Sequence, residues 1–381
     1  MKCEPARVER RRRRTGPRPP LDALTRTRQL AWGLFTSLLV LGLVEAGLRA
    51  ARFRYDSIPR YMRFGYPRAK LLAEVFQPDP ILFWRLIPGE LYLPDRIAVN
   101  RRGYRGPEFE TRKPAGAIRV LALGDSCTFL GHPAYPELLE AKLRAALPGK
   151  SVEVLNLAVP GYSSWQGRRQ IETEGLRLQP DLVLVYFGWN DTWTFQGVPD
   201  KLQRPAGGSV AAIRGLLNHL RLYQFENWAV TKTRLALFAS PGFSRASGSE
   251  VCRVSLADYR DNLRAMIQMV RSRGGEAVLI TAPTGARTGP ELAPYLVTEG
   301  MVSDPEWALA RHSEYNEAAR EVAAAEQAPL VDAAREFDRR RDPGLFWRDN
   351  IHLSDSGSAL LADLILAPAR ERIAKSAGER Q

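Results

Sequence analysis

The chain has 381 residues and a net charge of +13, with 45% hydrophobic and 25% charged residues. This composition is that of a globular protein, and it excludes a wholly disordered, a collagen-like or a multi-span membrane protein. Three cysteines without a CxxC pair exclude a disulfide-built scaffold and indicate no zinc or redox motif. The basic excess is compatible with nucleic acid, with an anionic membrane surface or with a topology signal, so its position along the chain decides among them.

Most of the excess charge lies in residues 1–28, which hold ten Lys or Arg and three acids. Rich in Arg and Pro, this segment is predicted to be a disordered basic tail. Residues 29–50 follow as an apolar stretch in which Glu45 is the one charge between Leu30 and Leu48. Because a bilayer span needs about 20 apolar residues, we expect a single transmembrane anchor at 29–50. A buried soluble helix and a cleaved signal peptide are the alternatives, although the apolar run exceeds the roughly 7–15 residues of a signal peptide.

The charge flanking the predicted span favours one orientation. Residues 10–29 hold eight Arg, and residues 49–68 hold six. Since long downstream domains cross membranes largely regardless of charge, we expect the tail inside and the remainder outside. The apolar span directly behind the Arg run argues against a tail that binds nucleic acid, so no nucleic-acid partner is expected.

The remainder of the chain changes character at residue 117. Residues 51–116 are a small lead-in region whose pattern predicts short strands and turns. Beyond it, apolar β runs alternate with helical patterns, which predicts a parallel sheet covered on both faces and therefore an α/β fold. The predicted strands are 118–123, 152–159, 181–187, 276–283 and 328–333. The predicted helices are 136–146, 167–178, 258–273, 306–325 and 354–375, the last opened by an N-cap at Ser354.

Residues 192–257 are too long for one crossover between strands. They contain a helical pattern at 210–223 and a Gly/Ser-rich stretch at 240–249. We interpret this segment as an insertion at the active-site end of the sheet, where it could act as a lid.

The polar residues that follow the strands indicate nucleophilic catalysis. Ser126 comes directly after the first strand, and a serine hydroxyl needs a base that removes its proton. Among the four histidines, His352 lies three residues after Asp349, so that the carboxylate can hold one ring nitrogen and leave the other for the serine. His132 is an alternative base, whereas His219 and His312 lie in helical patterns typical of surface or packing residues.

Two further strand ends carry groups that could bind an oxyanion. Gly161 follows the second strand and Asn190 the third, so the backbone N–H groups of Ser126 and Gly161 and the Asn190 amide are candidate donors. Each glycine or asparagine alone could be turn chemistry, and Asp125 and Asp191 could be turn-capping carboxylates. The aromatic side chains after the third strand could form a pocket wall or pack under the insertion: Trp189, Trp193 and Phe195. Cys127 is expected to pack inside, with a bond to Cys252 as the alternative.

These residues, in this order and spacing, resemble the four motif blocks of the SGNH/GDSL hydrolase superfamily. The blocks are Gly124-Asp125-Ser126, Gly161, Gly188-x-Asn190-Asp191 and Asp349-x-x-His352. The resemblance covers residues 117–375 and implies a flavodoxin-like three-layer α/β/α fold with a five-stranded parallel sheet. It implies Ser126 as nucleophile, His352 as base and Asp349 as the group that orients His352. It also implies an oxyanion hole of Ser126, Gly161 and Asn190, with motif support from Gly124, Asp125, Gly188 and Asp191.

The segments VNRRGYRGPEF and KPAGAIRVLALGDS further resemble the lead-in of bacterial membrane-anchored members of this superfamily. That resemblance implies a single-pass inner-membrane protein whose catalytic domain is periplasmic or extracytoplasmic and whose substrates are esters on cell-envelope glycans. We therefore expect a serine esterase acting on acyl esters, acetyl esters foremost. An O-acyltransferase that uses the same triad and a non-catalytic envelope scaffold are the alternatives. The sequence has no metal-ligand cluster and no phosphate-binding glycine loop, so no cofactor or metal is expected, and it indicates no particular oligomeric state.

Overall fold

The computed structural model describes residues 21–53, 75–92, 96–194, 199–202, 213, 216–217, 219–238, 251–292, 296, 302 and 304–378. The first 20 residues of the tail predicted at 1–28, the Gly/Ser-rich stretch 240–249 and Phe195 lie outside these residues. Residues 21–28, predicted as the end of the disordered tail, are helical. The chain divides into two compact units, Met1–Ser57 with Ile213–Ala236, and Ile58–Ala212 with Leu237–Gln381.

The helices and strands follow in chain order. The helices are α1 Leu21–Ala50, α2 Ser126–Phe129, α3 Tyr135–Ala146, α4 Ser164–Thr173, α5 Trp189–Thr192, α6 Arg221–Phe238, α7 Leu256–Arg271, α8 Pro305–Ala325, α9 Ala333–Arg340 and α10 Asp355–Gly378. The strands are β1 Phe76–Asp79, β2 Phe83–Leu86, β3 Leu91–Tyr92, β4 Ile97–Ala98, β5 Ile118–Gly124, β6 Val152–Asn156, β7 Leu182–Tyr186, β8 Glu276–Ile280 and β9 Leu330–Val331.

The first unit is helical and contains α1 and most of α6. Arg28–Ala50 within α1 is long and apolar enough to cross a membrane, and its apolar side chains are exposed. Within the helix predicted at 210–223, the described residues Ile213, Leu216 and Leu217 are helical, but a turn at His219 ends this piece and α6 starts at Arg221. The Glu45 carboxylate accepts the Leu222 N–H at 2.7 Å and so caps the start of this helix, a contact that local periodicity cannot reveal.

The second unit is built on a parallel five-stranded sheet with the order β6-β5-β7-β8-β9. This confirms the predicted α/β class and the five-stranded sheet. The strands are continuous apolar runs because alternate residues point to opposite buried faces. Val120 and Ala122 of β5 belong to one core cluster with α3 and α10, whereas Leu121 and Leu123 belong to the other.

The helices that cover the sheet make it a three-layer unit. Helices α3 and α10 contribute Leu139 and Leu361 to the core on one face. Helices α4, α7 and α8 contribute Ile171, Leu263 and Tyr315 to the core on the other face.

Several element boundaries differ from the sequence prediction. The helix predicted at 167–178 starts earlier, at Ser164, because Ser163 and Gln166 form a capping box, and it ends in a 3₁₀ turn, Gly175–Leu178. The last predicted strand is cut to Leu330–Val331, since Asp332 caps the unpredicted helix α9. The predicted N-cap is confirmed, with Ser354 Oγ accepting the Gly357 N–H at 3.1 Å.

The lead-in region forms two small antiparallel hairpins, β1 with β2 and β3 with β4. The buried side chains of these hairpins, Phe83 and Trp84 among them, belong to the same hydrophobic cluster as Leu121 and Ile171. The lead-in region therefore shares its core with the sheet.

Candidate active site

Ser126 lies at the point where β5 ends and the short helix α2 begins. Asp125 caps this helix, its Oδ1 accepting the Cys127 N–H at 2.8 Å. A Cβ at position 124 would stand 2.1 Å from Thr128 Oγ1, which explains why a glycine precedes Asp125. The turn places the Ser126 side chain at the carboxyl edge of the sheet, where ligands of open α/β sheets bind.

The side chains of Ser126, His352 and Asp349 form one continuous hydrogen-bonded chain. His352 Nε2 lies 2.8 Å from Ser126 Oγ, and His352 Nδ1 lies 2.6 Å from Asp349 Oδ2. The other oxygen of Asp349 accepts the backbone N–H groups of Ile351 and His352, each at 3.0 Å. Burial opposes ionisation of Asp349, yet the hydrogen bonds from His352 and the backbone hold its pKa below the ordinary value.

The loop that carries His352 rests on the loop that follows β8. Asn350, with φ at +58°, accepts hydrogen bonds at its carbonyl from the Gly285 N–H at 2.9 Å and from Thr284 Oγ1 at 3.0 Å. The Asn350 amide donates to the Glu291 carbonyl at 2.7 Å. These contacts hold the Asp-x-x-His turn in place. They could not be predicted from local sequence patterns, because the two loops are about 60 residues apart.

Asn190 is joined to the serine turn by Asp125. Asn190 Nδ2 donates to Asp125 Oδ2 at 2.7 Å, and both side chains are buried. An amide nitrogen carries two hydrogens, so this bond uses one of the two. Burial raises the pKa of Asp125 even though the Cys127 N–H and the Asn190 amide both donate to it. Asp125 is thus a brace between two motif blocks.

Gly161 lies on the loop after β6, which runs beside the serine turn. Val159 N–H donates to the Gly124 carbonyl at 3.3 Å, so the two segments are in direct contact. Gly161 has φ at +83°, a left-handed conformation that favours glycine. Within the described part of the chain, the N–H groups of Ser126 and Gly161 donate to no protein acceptor. Among the described residues, these two backbone N–H groups on adjacent segments therefore have no protein acceptor.

A buried arginine contacts the Gly161 loop through the Gly161 carbonyl. Arg253 Nη1 donates to the Gly161 carbonyl at 2.7 Å, and Arg253 Nη2 donates to Gln166 Oε1 at 2.8 Å. The same guanidinium pairs with Asp200 at 2.9 Å, with both side chains almost fully buried. Asp200 also accepts the Ser163 hydroxyl at 2.6 Å. Neither Arg253 nor Asp200 was predicted as a site residue.

The lead-in region supports the same loop from a further side. Trp84 Nε1 donates to the Pro160 carbonyl at 3.1 Å, and the Tyr162 hydroxyl donates to the Trp84 carbonyl at 2.6 Å. Gln166 Nε2 donates to the Leu82 carbonyl at 2.7 Å. The lead-in hairpin therefore buttresses the residues that flank Gly161.

The Asp191 carboxylate contacts the start of α4. Its carboxylate accepts the Ser164 N–H at 2.9 Å and the Ser164 hydroxyl at 2.5 Å. Burial raises the pKa of Asp191 to about 7. This geometry makes Asp191 a brace between the third motif block and α4.

The remaining sequence candidates lie apart from the Ser126–His352 pair or are buried. His132 is exposed, and His312 stacks on Trp189 at 3.8 Å between ring centroids, where burial lowers the His312 pKa to about 3. Trp189 and Trp193 are 2% and 6% exposed, so of the two alternatives the structure favours packing in the interior rather than a pocket wall. Cys127 and Cys252 are both free thiols, so the alternative disulfide is wrong. Among the described residues, no group of His, Cys, Asp and Glu could hold a metal ion.

Comparison with known proteins gives a family match over the same residues. The sequence model of the GDSL-like Lipase/Acylhydrolase family matches residues 122–360, more than half of the chain. No curated protein sequence matches.

Solved structures that resemble this chain include a lipase/acylhydrolase from Enterococcus faecalis, with a TM-score of 0.41 and 22% identity over 67% of this chain and 96% of that one. The acetylxylan esterase Axe2 from Geobacillus stearothermophilus has a TM-score of 0.42 and 18% identity over 66% of this chain and 94% of that one.

Replacing Arg253 by Met tests the brace behind Gly161. The substitution leaves Asp200 buried without its charge partner, so we expect a loss of about 3–5 kcal/mol in the free energy of unfolding. Urea unfolding of Arg253→Met beside the parent protein measures the loss.

Arg260→Met is the matched control, because Arg260 pairs with Glu321 on the surface at 2.7 Å. Removing an exposed pair is expected to cost less than about 1 kcal/mol. Equal losses in the two variants would contradict the brace.

Proposed function

Because the chain belongs to the GDSL-like lipase/acylhydrolase family, we propose that it hydrolyses acyl esters with Ser126 as nucleophile, His352 as base and Asp349 as the group that orients His352. The observation that carries the proposal is the unbroken hydrogen-bonded chain from Ser126 Oγ through the His352 ring to Asp349. With Asp349 accepting from Nδ1, the His352 ring presents Nε2 to the serine as an acceptor.

The first half of the reaction is acyl transfer to the enzyme. Ser126 Oγ attacks the ester carbonyl while His352 Nε2 takes the hydroxyl proton, and Asp349 stabilises the imidazolium that results. The carbonyl oxygen becomes an oxyanion, which the Ser126 N–H, the Gly161 N–H and Asn190 Nδ2 would bind. Each such donor is worth about 10²–10³ in rate in comparable sites. The tetrahedral intermediate then collapses, and the alcohol leaves with the proton from His352.

The second half of the reaction needs a water molecule beside His352 and the acyl-serine. Water gives a proton to His352 and attacks the acyl-serine, after which the acid leaves and Ser126 regains its proton. The site allows this because the His352 and Asp349 side chains are 14% and 15% exposed, so the sheet edge is open to solvent.

For the substrate we propose acetyl esters on cell-envelope glycans. The support is the resemblance of residues 99–109 and 113–126 to the lead-in of membrane-anchored members of the superfamily. Esters of this kind place a small acyl group on a large alcohol.

We further propose that α1 is a single-pass anchor in a bacterial inner membrane, with the hydrolase on the extracytoplasmic side. The apolar length of Arg28–Ala50 and the Arg excess ahead of it support this arrangement. The domain organisation that follows is a tail at 1–28, an anchor at 29–50, a lead-in at 51–116 and a hydrolase domain at 117–375 with its insertion at 192–257.

Ser126→Ala tests the nucleophile. The variant lacks the attacking oxygen but no buried contact, so it should fold as the parent does while losing both fluorophosphonate labelling and p-nitrophenyl acetate hydrolysis. Gel fluorescence after labelling and a circular dichroism spectrum measure the two properties.

Cys127→Ala is the matched control, because it removes the neighbouring nucleophilic side chain. Burial raises the Cys127 pKa well above its ordinary value, so the thiol stays protonated and unreactive, and labelling should persist in this variant. Labelling that survives in Ser126→Ala and disappears in Cys127→Ala would overturn the assignment.

Incubation of the membrane-embedded protein with acetylated oligosaccharides tests the substrate and the reaction type. Mass spectrometry should show loss of 42 Da units as expected for deacetylation, with free acetate released and no acetyl group on an added unacetylated acceptor sugar. Acetyl transfer to that acceptor without acetate release would contradict hydrolysis and favour the acyltransferase alternative. Ser126→Ala supplies the blank.

A further inference from the structure

The centre of the insertion differs in composition from the rest of the hydrolase domain. Residues 213–238 hold four Lys or Arg and one acid, together with many apolar residues and the aromatic residues Tyr223, Phe225, Trp228 and Phe238. Basic, apolar and aromatic residues together are typical of helices that lie in the membrane interface.

This segment contacts the C-terminal end of α1. Leu222 N–H donates to Glu45 Oε2 at 2.7 Å, and Arg49 Nη2 donates to the His219 carbonyl at 3.0 Å. Arg49 Nε in turn pairs with Glu45 Oε1 at 2.7 Å. The one acid in the apolar span therefore has a partner, because its carboxylate caps the positive end of α6.

Aromatic packing extends the contact beyond the end of α1. Phe53 lies edge-to-face against Phe225 and Trp228, with ring centroids 5.7 and 6.1 Å apart. Aromatic pairs of this geometry add roughly 0.5–1.5 kcal/mol each beyond the buried area. Hydrogen bonds and aromatic contacts thus join α6 to residues 45–53.

Large apolar side chains of the same segment remain exposed on the protein. Ile213 is 58% exposed and Leu216 72%, and Leu220, Phe225 and Val230 are also exposed. Each square ångström of apolar surface left in water costs about 25 cal/mol, so a cluster of such residues beside an anchor favours contact with lipid.

We propose that residues 213–238 form a second membrane contact that rests in the headgroup region of the bilayer crossed by α1, with the exposed apolar side chains in the acyl boundary. The proposal rests on the membrane anchoring proposed above. Its partner is a phospholipid surface, and the net positive charge of the segment, with four Lys or Arg against one acid in the sequence, suits anionic headgroups. The insertion would then serve membrane attachment in place of the lid role that its position in the sequence suggests.

The contact also bears on the fate of α1. A signal peptide would be removed, and Glu45, Arg49 and Phe53 would lose the hydrogen bonds and aromatic contacts that join them to the insertion. The proposed contact therefore requires that α1 is retained in the mature protein.

Depth-dependent fluorescence quenching on the full chain tests the proposal. A variant without cysteines receives one cysteine at a time at Ile213, Leu216, Leu38 or Leu202, each labelled with the environment-sensitive dye NBD. The protein is reconstituted in vesicles of phosphatidylcholine and phosphatidylglycerol that carry nitroxide-labelled lipids.

Leu38 reports on the anchor itself, and Leu202 is a control in the second unit whose 59% exposure matches the 58% of Ile213. We expect quenching by shallow nitroxides to be several-fold stronger at Ile213 and Leu216 than at Leu202, with deep nitroxides quenching Leu38. Glu45→Ala should reduce the quenching at Ile213 and Leu216 and leave that at Leu38 unchanged.

Three results would overturn the proposal, and they are distinguishable. Quenching at Leu38 with Ile213 and Leu216 no more quenched than Leu202 would refute the second contact while leaving the anchor intact. A label at Leu38 that no nitroxide quenches would refute the anchor and the proposed contact together. If a second copy of the chain covers residues 213–230 instead of lipid, labels at Leu216 should show energy transfer between copies and no quenching by lipid nitroxides.

Discussion

The site depends on one constraint of the sheet, namely that neighbouring parallel strands end at the same edge. Strands β5, β6 and β7 deliver Ser126, Gly161 and Asn190 to this edge, and the register of the three strands sets the spacing of the loops. The Asp125–Asn190 hydrogen bond at 2.7 Å then joins two of the strand ends directly. The Asp-x-x-His turn is the fourth part, and its attachment to the loop after β8 brings His352 to Ser126.

The buried residues that support these strand ends make contacts as specific as those of the residues at the proposed substrate site. Arg253 and Asp200 form a buried ion pair whose guanidinium also holds the Gly161 carbonyl. Buried charges of this kind are costly unless every polar atom has a partner, so the network is organised around a defined loop conformation. Trp84 adds a contact from the lead-in hairpin, and the lead-in region therefore contributes to the shape of the site.

Much of the second unit was predictable because its signals are local. Five apolar runs mark the sheet since both of its faces are buried, and Asp349 and His352 are close enough in sequence to meet within one turn. What the sequence did not predict depends on contacts between distant segments. Arg253 meets Gly161 across 92 residues, and Glu45 caps α6 across 177 residues. Such contacts decided the start of α6 and the support of Gly161, and no periodicity records them.

The polar motif residues fall into two groups, those that face the sheet edge and those that hold the backbone. Ser126 and His352 face the open sheet edge, whereas Asp125 and Asp191 are turned inward, where each joins two segments of backbone. Order and spacing alone cannot separate a residue that meets the substrate from one that holds a turn, because both kinds follow the same strand ends.

A crystal structure of the hydrolase with a phosphonate bound covalently to Ser126 tests the central claim most directly. The phosphoryl oxygen imitates the oxyanion of the tetrahedral intermediate. We expect this oxygen to lie within hydrogen-bond distance of the Ser126 N–H, the Gly161 N–H and Asn190 Nδ2, with His352 still paired to Asp349. A phosphoryl oxygen directed away from Gly161 and Asn190, or an adduct on another residue, would contradict that claim.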